Sequence, residues 1–224
     1  VEEVLIVIDG KEIKCKKGEN VLKVSLLNGI YIPNLCFLEE RGEPYGSCRL
    51  CFVEVEGEDQ PKCACTLVAD EGMRINTKGE RALRLQKTAF ELIMSNHPVD
   101  CKNCGKNGIC ELQKVARHLK ISLRTSKYKK FLNDLPIDDS SPIFTYDPNK
   151  CVQCGKCVYL SDRLGFGELS FAYRGLNRRV TTFKNAPLGS TRCANVSEFV
   201  QICPVGAFTY KEGKNKNTGG LRWS

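Results

Sequence analysis

Hydrophobic and polar positions alternate at the start of the chain. Val4, Ile6 and Ile8 fall on one side of an extended strand, and Asp9-Gly10 behind them is a two-residue hairpin turn, so residues 12–16 are predicted as the return strand. The period then changes. Over residues 19–28, Val21, Leu22, Ser25 and Leu26 share one helical face, and Gly29 stands where a left-handed residue would end the helix. Residues 52–56 and 62–67 return to strand-like composition around the acidic turn Gly57-Glu58-Asp59. The clearest helix is predicted over 80–95, where Leu83, Gln86/Lys87, Phe90 and Met94 recur at helical spacing and Pro98 follows. A shorter helix over 111–119 lies beyond a cysteine-rich loop.

These elements divide the 224 residues into several small parts. Residues 1–77 are predicted as a β-rich domain and 78–120 as a small helical segment. Residues 121–142 are polar, with Pro136, Pro142 and the basic run Lys127–Lys130, and are predicted to be a surface connector. Residues 143–212 form a further domain with its own cysteines, and 213–224, rich in Gly, Lys and Asn, a flexible tail.

Composition changes the picture through one residue type. Fourteen cysteines in a short secreted chain would point to a disulfide framework. Here they cluster at two-residue gaps, which suit thiolates around a metal better than long disulfide loops, and the apolar start is broken by Glu2 and Glu3 rather than shaped as a cleavable signal. The expected setting is the reducing cytoplasm. No run of eighteen apolar residues is present, so no membrane insertion is expected. The net charge of +8 is spread among 26 acidic residues, and ligating thiolates would reduce it, so nucleic acid is not an expected partner.

Three constellations carry the chemistry. The first is Cys36, Cys48 and Cys51 with either Cys63 or Cys65. The Cys48-x2-Cys51 pair sits in a small-residue loop before a strand, where backbone N–H groups can face cluster sulfurs, as in a plant-type [2Fe–2S] ferredoxin with a lengthened first gap. The second is His97, Cys101, Cys104 and Cys110, one imidazole and three thiolates on one short stretch; zinc and [4Fe–4S] both fit this set taken alone. The third is Cys151-x2-Cys154-x2-Cys157 with a distant Cys203-Pro204, the ligand pattern of one bacterial-type [4Fe–4S] cluster. In a two-cluster ferredoxin a fourth cysteine would follow Cys157. Ser161 stands there, and Cys193 has Val196 and Phe199 where companion thiols would be, so the second cluster of an ancestral pair is absent. Eleven cysteines and His97 thus serve three clusters. Cys15, expected as a buried apolar residue in a strand, Cys193 and one of Cys63/Cys65 are left over, and His118 is expected to be a surface residue.

In this order the motifs resemble the N-terminal iron–sulfur region of the large peripheral-arm subunit of respiratory complex I. The same region resembles a small separate iron–sulfur (diaphorase-type) subunit of NAD(P)-linked [NiFe] hydrogenases and the front of [FeFe] hydrogenases. The matching segments are Ile32-Pro33-Asn34-Leu35-Cys36, Cys48-Arg49-Leu50-Cys51-Phe52-Val53-Glu54-Val55, Asn96-His97-Pro98-Val99-Asp100-Cys101 and Ile202-Cys203-Pro204-Val205-Gly206-Ala207. The resemblance implies Cys65 as the fourth [2Fe–2S] ligand, because Ala64-Cys65-Thr66 stands before Gly72-Met73 as in the family.

The fold it implies is α+β: an N-terminal [2Fe–2S] ferredoxin-like β-grasp, a small helical His/Cys3 cluster segment and a C-terminal bacterial-ferredoxin-like [4Fe–4S] domain. The function it implies is single-electron relay between an NAD(P)H-binding FMN flavoprotein subunit and the small and large subunits of a hydrogenase. Electron-bifurcating relatives add ferredoxin and a thioredoxin-like [2Fe–2S] subunit. A complex I or formate dehydrogenase setting is the alternative, and a zinc-stabilised nucleic-acid-binding module the remote one. No dinucleotide fingerprint, flavin site or acid–base constellation stands in the sequence, so no catalytic residue is expected.

Overall fold

Asp9 and Gly10 both take positive φ (52° and 82°), the pair of values that a tight two-residue hairpin turn needs. The flanking strands, β1 (Glu3–Ile8) and β2 (Lys11–Lys16), pair antiparallel from Ile8↔Lys11 to Glu3↔Lys16. Helix α1 (Val21–Leu27) follows, capped by the Asn20 side chain, which accepts from the Lys23 amide at 3.1 Å. It ends at Gly29 (φ 75°), where the Ile30 amide turns back to the Ser25 carbonyl at 2.9 Å. Strands β3 (Phe52–Val55), β4 (Lys62–Cys63) and β5 (Arg74–Asn76) complete a five-stranded sheet of order β2-β1-β5-β3-β4, with β1 and β5 parallel at its centre. Val4, Ile6, Ile8, Ile13, Val53 and Ile75 from the sheet pack against Val21, Leu22 and Val24 of α1. Each such side chain contributes about 1.5–3 kcal/mol of burial.

The computed structural model describes residues 2–211; the tail predicted over 213–224 lies outside the described residues. Two compact units result, one of residues 2–92 with 115–121 and one of 93–114 with 122–211. The division falls within helices α2 (Glu80–Ser95) and α3 (Glu111–Leu119), whose bounds coincide with the helices predicted over 80–95 and 111–119.

The strand predicted over 62–67 is shorter than expected. Only Lys62–Cys63 pairs with β3, and the chain then winds into a 3-10 turn over Ala64–Thr66. Side chains replace the missing ladder: Thr66 Oγ1 donates to the Cys63 carbonyl (2.9 Å) and Asn20 Nδ2 to the Cys65 carbonyl (2.7 Å). Cys15 is only half-buried at the margin of the sheet core, not fully enclosed. His118 is exposed on α3, edge-on to the Tyr31 ring at 4.9 Å.

The start of α2 is held from β3. The Glu54 carboxylate accepts from the amides of Arg81 (2.9 Å) and Ala82 (3.1 Å), two donors that a helix N-terminus leaves open, and it lies where a side chain at Gly79 would have to go. Glu54→Ala is expected to speed hydrogen exchange at the Arg81 and Ala82 amides about tenfold, the equivalent of a cap worth about 1.4 kcal/mol. Unchanged exchange would show that water caps the helix as well as Glu54 does.

The second unit is built from short pieces. Strand β6 (Phe144–Tyr146) pairs with β9 (Phe208–Tyr210), and β7 (Ser170–Ala172) with β8 (Arg179–Thr181). Helix α4 (Lys156–Arg163) and the single-turn α5 (Glu198–Ile202) carry the rest. Its core is aromatic: Phe208 stacks on Tyr146 (4.6 Å) and Phe199 (5.5 Å) and meets Phe144 edge-on (5.3 Å). The segment predicted as a connector is irregular but tied down: the Phe131 amide and Lys130 Nζ reach the carbonyls of Ser95 and Met94, and the Asn149 side chain bonds both backbone groups of Leu135. No helix among the described residues is long and apolar enough to cross a membrane.

Candidate metal centres

In the first unit, Cys36, Cys48, Cys51, Cys63 and Cys65 are all buried. The loop that carries Cys48 and Cys51 turns through positive φ at Gly46 (58°) and Arg49 (53°), which curls it around its two thiols. Cys36 and Cys48 lie with sulfurs 3.4 Å apart; the hydrogen bond between them holds the Cys36 thiol down at about 5, while that bond and burial push Cys48 up. Around Cys51, the Cys63 bond favours the thiolate, but the bond to Cys65 and burial outweigh it and push the thiol up to about 12. Cys63 is also pushed up, by its bond to Cys51 and by burial, against the opposing Arg49 guanidinium 3.7 Å away. Both leftover candidates therefore sit beside Cys51. Cys48, Cys51 and Cys63 therefore keep their protons unless a cation replaces them, while Cys36 is held as a thiolate.

The second unit holds two donor sets. His97, Cys101, Cys104 and Cys110 line one small cavity together with Lys150 and Gly206. His97 Nδ1 is buried and has no hydrogen-bond partner, whereas the ring also bonds the Lys150 backbone, so the remaining nitrogen makes that bond. Burial, aided by the charge of Lys150, lowers the imidazole to about 4 and keeps it neutral with a lone pair to spare. A metal-ligating histidine needs this arrangement: one nitrogen anchored, the other open. The loop is braced by Gln113, which accepts from the Gly108 amide and donates to Asn107 (both 2.8 Å), and burial raises the Cys110 thiol.

The other set surrounds the start of α4. Gln153 (φ 53°) and Gly155 (φ 82°) turn the loop so that Cys151, Cys154 and Cys157 face the same interior, and Cys203 arrives at the end of α5. The Gln153 amide donates to the Cys151 sulfur at 3.4 Å. Burial first, then the nearby thiolates, raises all three thiols of the loop, Cys151 to about 12. The two donor sets meet along one segment. The Glu111 amide donates to the Pro204 carbonyl (2.9 Å), and Gly206 lies against the Cys104 sulfur. No three His, Cys, Asp or Glu side chains among the described residues converge on a point that one ion would fill. The four donors of the His97 set border one cavity instead.

Ser161 and Cys193 do meet, 3.7 Å apart and buried, but as structure: Ser161 Oγ accepts from the amides of Glu168 (3.0 Å) and Leu169 (3.3 Å), and Phe199 fills the core. Sequence reading missed Lys106, which is buried with Nζ 2.7 Å from the Val200 carbonyl. Its only advance signal was its place inside the ligand loop.

Comparison with known proteins gives three matched regions in chain order. Residues 1–80 match the 2Fe-2S iron-sulfur cluster binding domain, 86–124 the NADH-ubiquinone oxidoreductase-G iron-sulfur binding region, and 141–209 the ferredoxin-like domain of NADH-quinone oxidoreductase subunit 3. The chain is 34% identical over 94% of its length to the NADPH-Fe(3+) oxidoreductase subunit alpha of Geobacter sulfurreducens, and 37% identical over 93% to the G-type subunit of NADH-quinone oxidoreductase from Mycobacterium bovis. It spans about a quarter of the length of these curated relatives (24% and 26%). Among solved structures, a chain of NAD+-reducing [NiFe]-hydrogenase in the H2-reduced state superposes with a TM-score of 0.85 at 33% identity, over 96% of this chain and 90% of the other. With [2Fe–2S]- and [4Fe–4S]-binding domains in this order, the chain belongs to the iron–sulfur electron-transfer subunits of NAD(P)-linked oxidoreductases, the family shared by the diaphorase-type hydrogenase subunits and the front of the G-type subunit of NADH-quinone oxidoreductase.

Proposed function

We propose that this chain carries three clusters in series: [2Fe–2S] on Cys36, Cys48, Cys51 and Cys65, [4Fe–4S] on His97, Cys101, Cys104 and Cys110, and [4Fe–4S] on Cys151, Cys154, Cys157 and Cys203. Segments 1–77, 78–120 and 143–212 are the corresponding parts, with 121–142 as connector. Once bound, the clusters supply one-electron chemistry at potentials set by ligand type, hydrogen bonds to sulfur and burial. The chain's own contribution is to hold the donors, exclude water and keep the second and third sets close through residues 203–206. The observation that carries this reading is the cavity lined by all four donors of the second set, with His97 Nδ1 buried and open.

The partners proposed are an NAD(P)H-binding FMN flavoprotein and hydrogenase subunits, with ferredoxin or a thioredoxin-like [2Fe–2S] subunit in a bifurcating assembly. The close superposition on a hydrogenase chain supports the hydrogenase arm. The identity to the NADH-quinone oxidoreductase relative and to the NADPH-linked alpha subunit favours a second reading, the same relay inside a complex I-like or other NAD(P)H-linked assembly. Purification of the native complex under anaerobic conditions distinguishes them by which subunits travel with the chain.

Iron and acid-labile sulfide analysis with low-temperature EPR on dithionite-reduced protein tests the cluster content. About ten irons per chain, with one [2Fe–2S] and two [4Fe–4S] signals, is the expected result; zinc with little sulfide would overturn it. In the same assay Cys65→Ala is expected to remove the [2Fe–2S] signal and Cys63→Ala to leave it, because the Cys63 thiol is engaged by Arg49. The opposite pattern would move the ligand role to Cys63.

A further inference from the structure

Lys106 is 8% exposed, an unusual position for an ammonium group. Its Nζ is fixed by the Val200 carbonyl at 2.7 Å, and no carboxylate among the described residues pairs with it. Val200 lies on α5, the turn of helix that delivers Cys203, while Lys106 itself sits in the loop between Cys104 and Cys110. The same two segments meet again where the Glu111 amide reaches the Pro204 carbonyl and where Gly206 abuts the Cys104 sulfur. Burial works against the Lys106 charge, and the ionisable groups that act to hold it are the thiols of Cys203, Cys110 and Cys104, one from one donor set and two from the other. An unpaired buried cation is costly, by several kcal/mol in a low dielectric, so its natural counter-charge is the negative charge that both loaded sites carry.

We propose that Lys106 is a shared potential-setting residue: its fixed positive charge, held between the His97 and Cys151 donor sets, stabilises the reduced form of both [4Fe–4S] clusters. This rests on the ligand sets proposed above. Reduction adds one negative charge to a cluster, and a cation at short range in a water-poor interior favours that state. A lysine on the surface would be screened and would act on neither site. Because one charge faces two sites, each cluster's potential is raised by the same side chain, which keeps the pair matched for transfer between them.

The test is an EPR-monitored redox titration of the full, cluster-loaded protein and its variants. Lys106→Gln keeps an N–H for the Val200 carbonyl and removes the charge; Lys106→Met removes both; Lys106→Arg keeps the charge. At a poise where each wild-type [4Fe–4S] cluster is half-reduced, the reduced-to-oxidised ratio of both clusters is expected to fall about tenfold in Lys106→Gln, about 59 mV for a one-electron couple, and to recover in Lys106→Arg. Unchanged ratios with full iron content would overturn the proposal, and so would a shift confined to one cluster. If Lys106→Gln loses iron, retention in Lys106→Arg supports the requirement for charge, whereas loss in Lys106→Arg as well sinks it. Wild-type protein without [4Fe–4S] signals would refute the underlying ligand sets, a result distinct from unchanged potentials.

Discussion

Removal of iron under reductant is expected to abolish cooperative unfolding of the unit formed by 93–114 and 122–211, while amide protection in the five-stranded sheet persists. The two units differ in what holds them. The sheet of the first encloses an aliphatic core of Val4, Ile6, Ile8, Leu22, Val53 and Ile75, none of them a proposed ligand, with Cys51 and Cys65 at its side. In the second, each sheet has two strands of three residues and α5 is five residues long, elements that are marginal in isolation. The aromatic group around Phe208 is its main apolar resource. Eight proposed donors spread from 97 to 203 are therefore the principal long-range ties, and a structural metal site contributes on the order of 10 kcal/mol to folding. Circular dichroism and hydrogen exchange before and after chelation read the difference, and reconstitution with iron and sulfide should restore it. Full secondary structure with an intact cooperative transition after iron loss would show that the aromatic core suffices.

Features that depend on near neighbours were legible in the sequence. Asp9-Gly10 requires positive φ at two adjacent residues, and the helix over 80–95 is marked by its spacing and by Pro98, so both stand where the pattern put them. The strand expected over 62–67 failed because its backbone is satisfied from Asn20, a partner 45 residues away that no local period reveals. The donor spacing around His97 and Cys151 pointed to two groups of side chains that the fold brings near one another, the proposed sites. What spacing could not show is how those sites are joined. Lysine reads as a solvent residue, yet Lys106 is taken inside by a carbonyl 94 positions later. Ser161 reads as a missing ligand, and only the structure gives it work, as the acceptor for the Glu168 and Leu169 amides.

Gly206→Ala is expected to empty the His97 site selectively, taking iron from about ten to about six per chain and removing one [4Fe–4S] signal. A Cβ at 206 would fall on the Cys104 sulfur. In the metal-free chain that conflict is mild, since a free thiol can rotate at a cost of about 1 kcal/mol, and exchanging glycine for alanine recovers roughly 0.4–1 kcal/mol from the unfolded state. Ligation removes the escape. A sulfur bound to iron is fixed by the metal and by three other donors, so the clash falls wholly on the loaded state. The third site should survive, because Cys203 precedes the substitution and its sulfur is directed to the Val205 carbonyl at 3.2 Å. Gly105→Ala is the control: its Cβ would meet the Thr209 side chain at 3.2 Å, which asks for a shift of about a few tenths of an ångström and touches no proposed ligand, and iron content should hold. If Gly206→Ala retains about ten irons and the wild-type spectrum, Cys104 does not occupy this position when iron is bound. The donors of the second site would then have to be reassigned.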